Sequence, residues 1–120
     1  MRPFPPAETL QIFVGDALAE VRLNPFGLQF SFESERLIHV EHAIIHTEPD
    51  GTTWSYDCQA DDRPPVILHR LLGRYIRSVE REDLRLTLQF ENGSSLAILS
   101  DLNGYESGVI VTTEMGYVMF

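Results

Sequence analysis

The sequence predicts an α+β fold that is mostly β, in which two similar units, each a short helix followed by an antiparallel β-meander, form one shared core. Two runs of alternating apolar and polar residues, at 26–32 and 84–90, carry this prediction. Their apolar members are Phe26, Leu28, Phe30 and Phe32, and then Leu84, Leu86, Leu88 and Phe90. Because successive side chains of a strand point to opposite faces, both runs are typical of half-buried strands. The offset of 58 residues, from position 26 to position 84, predicts an internal duplication.

The length fits one domain that contains both units. A chain of 120 residues buries roughly 65% of the surface that its unfolded form exposes, which is enough for one core. We therefore expect a single domain over 1–120, with pseudo-repeats at about 5–58 and 63–120. Neither half could bury its apolar face alone, so the two units would share the core.

A proline pair and a glycine bracket the first predicted element of each unit. In the first half, apolar residues at helical spacing lie between Pro6 and Gly15, and in the second half they lie between Pro65 and Gly73. Proline suits the first turn of a helix, and glycine suits its end. Both segments are therefore predicted to be short helices. Their apolar positions are Leu10, Phe13 and Val14, and then Leu68, Leu71 and Leu72.

The residues after each glycine are ambiguous between strand and helix. Glycine inside a helix costs only about 1 kcal/mol, so one long helix through Gly73 remains an alternative. That helix would carry a basic stripe, formed by Arg70, Arg74, Arg77 and Arg81. We favour a strand after each glycine, because both halves have the glycine at the same place and β-branched residues follow Gly73.

The later strands of the two units align only after a shift. The strand, turn and strand pattern at 43–52 matches the pattern at 108–117, at an offset larger by seven residues. The second unit is therefore predicted to contain about seven extra residues near 100–107 that have no partner in the first.

This extra segment is the candidate binding site, because a part present in only one unit is not needed to build the scaffold. Loops held by a rigid sheet often carry binding residues. We expect Tyr105, an aromatic residue of the kind enriched at interfaces, to bind a partner together with Asp101 and Glu106. The alternative is that Tyr105 caps an open end of the core.

The charge balance limits the classes of partner. The chain has nine basic residues, all of them arginine, against 18 acidic ones, which gives a net charge of −9. Binding to nucleic acid or to an anionic membrane needs a positive surface, so both are disfavoured, and the expected partner is a protein with a basic surface. The N-terminus lacks a long apolar segment, and no apolar run approaches the roughly 20 residues that span a bilayer. We therefore expect a cytoplasmic protein.

Histidine and cysteine supply no strong candidate for catalysis or metal binding. His39, His42 and His46, with Glu41 among them, form the only cluster of metal-ligand type. On a strand, His42 and His46 would share one face and His39 would take the other, so no metal site and no cofactor are expected. Cys58 is the only cysteine, which fits a reducing compartment, and a packed side chain is a commoner role for it than a reactive thiol.

Four motifs stand out in the second half of the chain. They are a Leu-Gly pair at 72–73, a Leu-x-Leu-x-Phe strand at 86–90, a turn with glycine at 92–93 and a Tyr-Glu-Ser segment at 105–107. Together they resemble a family of small bacterial proteins of unknown function. The resemblance implies a fold class and no catalytic residue, since no activity is known for the family.

The expected function is non-enzymatic protein binding, because the sequence contains no nucleophile elbow, no Walker loop and no dinucleotide-binding glycine motif. Immunity proteins, which neutralise toxins, have a similar size and acidity, and acidic side chains would steer a basic toxin. The alternative is a small-molecule or metal-dependent enzyme that uses residues 39–46 or the loop at 101–106.

Overall fold

The computed structural model describes residues 3–62, 65–101 and 106–120, and β-strands are their main secondary structure. One four-residue α-helix, α1, covers Ala7–Leu10, and 3₁₀ turns lie at Gln11–Phe13 and His69–Leu71. The described residues form ten strands: β1 Leu18–Asn24, β2 Gly27–Phe32, β3 Leu37–Val40, β4 Ala43–Thr47, β5 Thr53–Asp57, β6 Ile76–Glu82, β7 Arg85–Phe90, β8 Ser95–Leu99, β9 Gly108–Thr112 and β10 Gly116–Met119.

These strands form two five-stranded antiparallel sheets that share one hydrophobic core. The first sheet has the order β1-β2-β3-β9-β10, and the second has the order β6-β7-β8-β4-β5. The predicted mostly β fold with one core is therefore confirmed. The predicted meander is wrong in its last part, because each half forms a meander of only three strands, and its last two strands pair with each other as a separate hairpin. The last two strands of each half cross to the other sheet.

The pairing of strands is the same in both sheets. In the first sheet Leu18 pairs with Phe32, in the second Ile76 pairs with Phe90, and a bulge follows one residue later in both. Because alternate side chains of β2 and β7 point inward, the predicted equivalents enter the core together. Leu28, Phe32, Leu86 and Phe90 are all buried.

The glycines end the helical segments, and the long-helix alternative is wrong. Gly15 and Gly73 have φ values of 86° and 80°, a left-handed conformation that terminates a helix. The Gly15 N–H donates to the Ile76 carbonyl at 2.8 Å, and the Gly73 N–H donates to the Leu18 carbonyl at 2.7 Å. These bonds tie the entry of β1 to the entry of β6. The second predicted helix is only a three-residue 3₁₀ turn.

The alignment of the later strands is off by one residue. Val40 pairs with Gly108 in the first sheet, and Ile98, which lies 58 residues after Val40, pairs with Ile44 in the second. Gly108 therefore corresponds to Ile44, at an offset of 64, and not to Ala43. A slip of one residue moves every side chain to the other face. With this pairing, the predicted extra segment would contain six residues and not seven.

Candidate functional site

The outer face of the first sheet carries five neighbouring apolar side chains. They alternate along their strands with the core residues Ile38, Ile110 and Val118, so they point away from the core. Tyr117 is 77% exposed and Met119 is 39% exposed, and the others are partly buried. We call this set the apolar face: Leu37, Val109, Val111, Tyr117 and Met119.

Strand pairing makes the apolar face continuous across three strands. Val111 of β9 pairs with Leu37 of β3 on one side and with Tyr117 of β10 on the other. Two residues along the strands, and therefore on the same face, Val109 pairs with Met119. Because neighbouring strands lie about 4.8 Å apart, these side chains are in reach of one another and form one patch.

The corresponding positions of the second sheet are mostly polar. There Thr47 of β4 pairs with Ser95 and with Thr53, in the places that Val111, Leu37 and Tyr117 occupy in the first sheet. Ile45, the counterpart of Val109, pairs with Ser55, the counterpart of Met119. We call the four polar residues the hydroxyl face: Thr47, Thr53, Ser55 and Ser95. Since the same sheet forms with hydroxyl groups at these positions, the fold does not require the apolar face.

A cavity of about 300 Å³ lies at one end of the apolar face. It is lined by His39, Glu41, Glu106, Gly108, Val109 and Met119. The His39 Nε2 atom lies 3.3 Å from the Glu41 Oε1 atom. A Cβ atom on Gly108 would lie 2.2 Å from the His39 carbonyl oxygen and 2.3 Å from the ring of Phe120, so only glycine fits here.

The predicted loop residues lie partly at this cavity. Glu106 is exposed and lines it, beside Glu41. Asp101 is half-buried, and its backbone N–H donates to the Ser107 Oγ at 2.9 Å. Tyr105 lies outside the described residues. The structure therefore places Glu106 next to the apolar face. The sequence reasoning identified Glu106 but not the apolar face.

Three carboxylates, in two groups, are held by ion pairs away from the cavity. Arg36 donates to Asp16 at 3.0 Å and to Glu114 at 2.6 Å, which lowers the pKa of Glu114 and raises that of Arg36. Glu48 accepts hydrogen bonds from the Trp54 indole at 2.8 Å and from Arg70. The first of these contacts, with help from the second, lowers the pKa of Glu48. The first group joins three segments outside the strands, and the second joins β5 to the 3₁₀ turn at His69–Leu71.

The histidines are separated by the fold. His39 lies on β3 in the first sheet, whereas His46 lies on β4 in the second sheet, where it is 1% exposed and its Nδ1 contacts the Ile67 carbonyl oxygen at 2.6 Å. The predicted common face for His42 and His46 is wrong, because His42 lies in the connection between the two sheets. Among residues 3–62, 65–101 and 106–120, no group of three or more His, Cys, Asp or Glu side chains could hold a metal ion.

Cys58 is buried, with its Sγ 3.7 Å from the Val40 carbonyl oxygen. This placement fits the predicted role as a packed side chain. In the part of the chain that the structure describes, no helix has the length and apolar character needed to cross a membrane.

The geometry therefore points to an apolar surface patch beside a cavity that carries one histidine and two glutamates. Comparisons with models of protein families, with curated proteins and with solved structures find no match to this chain. The resemblance to small bacterial proteins of unknown function stays a prediction.

Proposed function

We propose that the protein is a non-enzymatic protein-binding module that holds a partner with a basic surface against the apolar face. The observation that carries this proposal is the difference between the two sheets, since the apolar face occupies positions that the hydroxyl face fills with Ser and Thr. An apolar patch that folding does not need is typical of an interaction site. Tyrosine and methionine, which are its most exposed members, are enriched at protein interfaces.

Charge supports a basic partner. The net charge of −9 and the carboxylates of Glu41 and Glu106 at one end of the apolar face would attract a positive surface and speed its association. The predicted loop residues Asp101, Tyr105 and Glu106 would extend the contact. An immunity protein that neutralises a basic toxin is one form of such a module.

The test replaces two apolar side chains by their counterparts on the hydroxyl face. The Tyr117→Thr, Met119→Ser variant should keep its melting temperature and weaken the binding of a partner purified with the wild-type protein by about tenfold or more, as loss of a central aromatic contact does. A Thr53→Ala, Ser55→Ala variant on the second sheet is the matched control and should bind normally. Equal binding by all three proteins would show that the partner docks elsewhere.

The cavity beside Met119 favours a second candidate function. It brings together His39, Glu41 and Glu106, one residue pair from the region 39–46 and one residue from the loop at 101–106. A small-molecule enzyme could use a histidine and carboxylates for acid and base catalysis. Turnover of a substrate that is lost in a His39→Ala, Glu106→Gln variant, with partner binding intact, would favour this candidate over the module.

We also infer that the two halves arose by internal duplication. The shared strand order, the bulge at the same place in β1 and β6 and the left-handed Gly15 and Gly73 support this origin. The test is an alignment of relatives. In a duplicated chain, the two halves of some relatives should resemble each other more closely than they do here, whereas halves that never converge would contradict the inference.

A further inference from the structure

A second, larger depression lies on the other side of Glu41. This groove of about 460 Å³ separates the β1–β2 turn from the segment after β5, and its walls include Phe26, Glu41, Gln59 and Asp61. Phe26 is 75% exposed, which is unusual for a phenylalanine. Glu41 also lines the cavity at the apolar face, so the groove and this cavity are neighbours that share one residue.

Both walls of the groove are held by local hydrogen bonds. On one side the Phe26 N–H donates to Asn24 Oδ1 at 2.9 Å. A Cβ atom on Gly27 would lie 2.0 Å from the Val40 carbonyl oxygen, so the turn lies tightly against β3. On the other side the Gln59 side-chain amide donates to the Glu41 carbonyl oxygen at 3.3 Å. Both walls of the groove are therefore held by contacts within the chain.

At the equivalent end of the second sheet, a segment of the chain is bound beside the β6–β7 turn. There the Phe4 N–H donates to the Asp83 carbonyl oxygen at 3.0 Å, and the Arg81 guanidinium donates to the Phe4 carbonyl oxygen at 2.6 Å. Phe4 is 1% exposed, with its ring centroid 4.5 Å from that of Phe120. Leu84, the counterpart of Phe26, is half-buried. At that end an extended segment of the chain is docked beside the turn.

We propose that the groove binds an arginine side chain of an extended basic segment of the partner, an inference that rests on the proposed function. A guanidinium group stacks on an aromatic ring, and the exposed ring of Phe26 offers that surface. Glu41 and Asp61 line the same groove, and a carboxylate is a charge-assisted hydrogen-bond acceptor for a guanidinium group. The Glu41 Oε1 atom also lies 3.3 Å from the His39 Nε2 atom, so an arginine would share this carboxylate with His39. Arginine fits this combination better than lysine, because its planar group can stack and donate in the plane at once.

The test uses a short peptide as the probe. Acetyl-Gly-Arg-Gly-amide is titrated into the full chain and followed by amide chemical shifts, and the same peptide with neutral citrulline is the reference. Shifts should concentrate at Phe26, Gln59 and Asp61 with the arginine peptide only. A Phe26→Leu variant carries the same residue as its counterpart Leu84. It should bind the arginine peptide about two- to fivefold more weakly, as expected for loss of an exposed cation–π contact. Shifts spread evenly over the acidic surface, or equal shifts with citrulline, would overturn the proposal.

A matched pair of variants separates a site from general attraction. Glu41→Gln and Glu80→Gln remove one negative charge each, the first at the groove and the second from an exposed position on β6. Glu41→Gln should weaken peptide binding and Glu80→Gln should not, whereas an equal effect of both would contradict a specific site.

Failure here can be told apart from failure of the proposed function. If the Tyr117→Thr, Met119→Ser variant loses the partner while Phe26→Leu binds it normally, the module stands and the arginine site is wrong. If all of these variants bind the partner normally, both proposals fail.

Discussion

The two sheets have the same strand order and the same pairing, but their outer faces differ in chemistry. On the inner side both use large apolar residues at matching positions, such as Phe32 in the first sheet and Phe90 in the second. On the outer side Val111 and Tyr117 of the first sheet stand where Thr47 and Thr53 stand in the second.

This contrast separates what folding needs from what it leaves free. The inner positions must be apolar because the shared core is built from them. The outer positions accept a hydroxyl group in one sheet and an aromatic ring in the other, so the fold does not determine which side chains they carry. The second sheet thus serves as an internal control for the first.

The largest expected effect tests the inner faces. Phe90→Ala should lower the free energy of unfolding by about 3–5 kcal/mol, since it removes a fully buried aromatic ring and leaves a cavity. Phe32→Ala should cost a similar amount if the two inner faces are equivalent. Denaturant melts measure both variants, and a change near zero in either would mean that the ring is not part of the core.

The next effect concerns the ion pairs, which differ between the halves. Arg36 is bonded to Glu114, whereas its counterpart in the second half is the buried Ser94. Contact with Arg36 lowers the pKa of Glu114 below the ordinary value of 4.5, so this carboxylate takes up protons more readily in the unfolded chain. Its contribution to stability is therefore complete above about pH 4.5 and is lost as the pH falls through the lower pKa of the folded state.

Melting curves between pH 7 and pH 3 measure this loss. Glu114→Gln should flatten the fall in stability below pH 4.5, because an amide does not titrate there. The variant should still lose some stability at low pH, because Glu48, whose pKa is lowered by Trp54 and Arg70, is still protonated there. If the wild-type and Glu114→Gln curves remain parallel, the Arg36 contact does not stabilise the fold.

The inner faces could be predicted from the sequence, and the outer face could not. Alternation in β2 and β7 and the glycines before β1 and β6 are local patterns, and they located these strands. The first apolar residue of each run, Phe26 and Leu84, was wrongly assigned to the strand, because both lie in the preceding turns. Val109, Ile110 and Val111 are apolar on both sides of β9, so periodicity cannot tell which of them faces the core. The same ambiguity shifted the alignment of β4 with β9 by one residue.

Local sequence patterns also cannot predict which strands pair with the later strands of each half. β3 pairs with β9 and β4 pairs with β8, contacts between distant parts of the chain that no turn motif announces. The apolar face exists only because β10 and β3 flank β9, so Leu37 and Tyr117 could not be grouped from the sequence. The candidate segment at 100–107 was singled out because it interrupts the predicted repeat, which is a pattern that one chain can show.

A smaller effect on stability is expected at that loop. A Tyr105→Ala, Glu106→Ala variant should melt like the wild type and lose partner binding, because Glu106 is exposed at the end of the apolar face. Glu82→Ala, at an exposed position of β6, is a control for the loss of charge. A drop of several kcal/mol in the free energy of unfolding would instead assign Tyr105 to the core, in agreement with the capping alternative.

The smallest effect is expected for zinc. Titration of the protein with zinc should release or absorb no heat that fits a stoichiometric site. Three neutral histidines or their equivalents must converge within about 2.1 Å of one ion to hold zinc. The outward His39 lies in the first sheet, and the buried Nδ1 of His46 is engaged by the Ile67 carbonyl in the second. A carboxylate pair such as Glu41 and Glu106 would hold zinc weakly on its own. Isothermal titration of the wild-type chain is therefore expected to match that of a His42→Ala, His46→Ala variant. A one-to-one site that disappears in the variant would contradict this prediction, because it would require His42 or His46 to act as a zinc ligand.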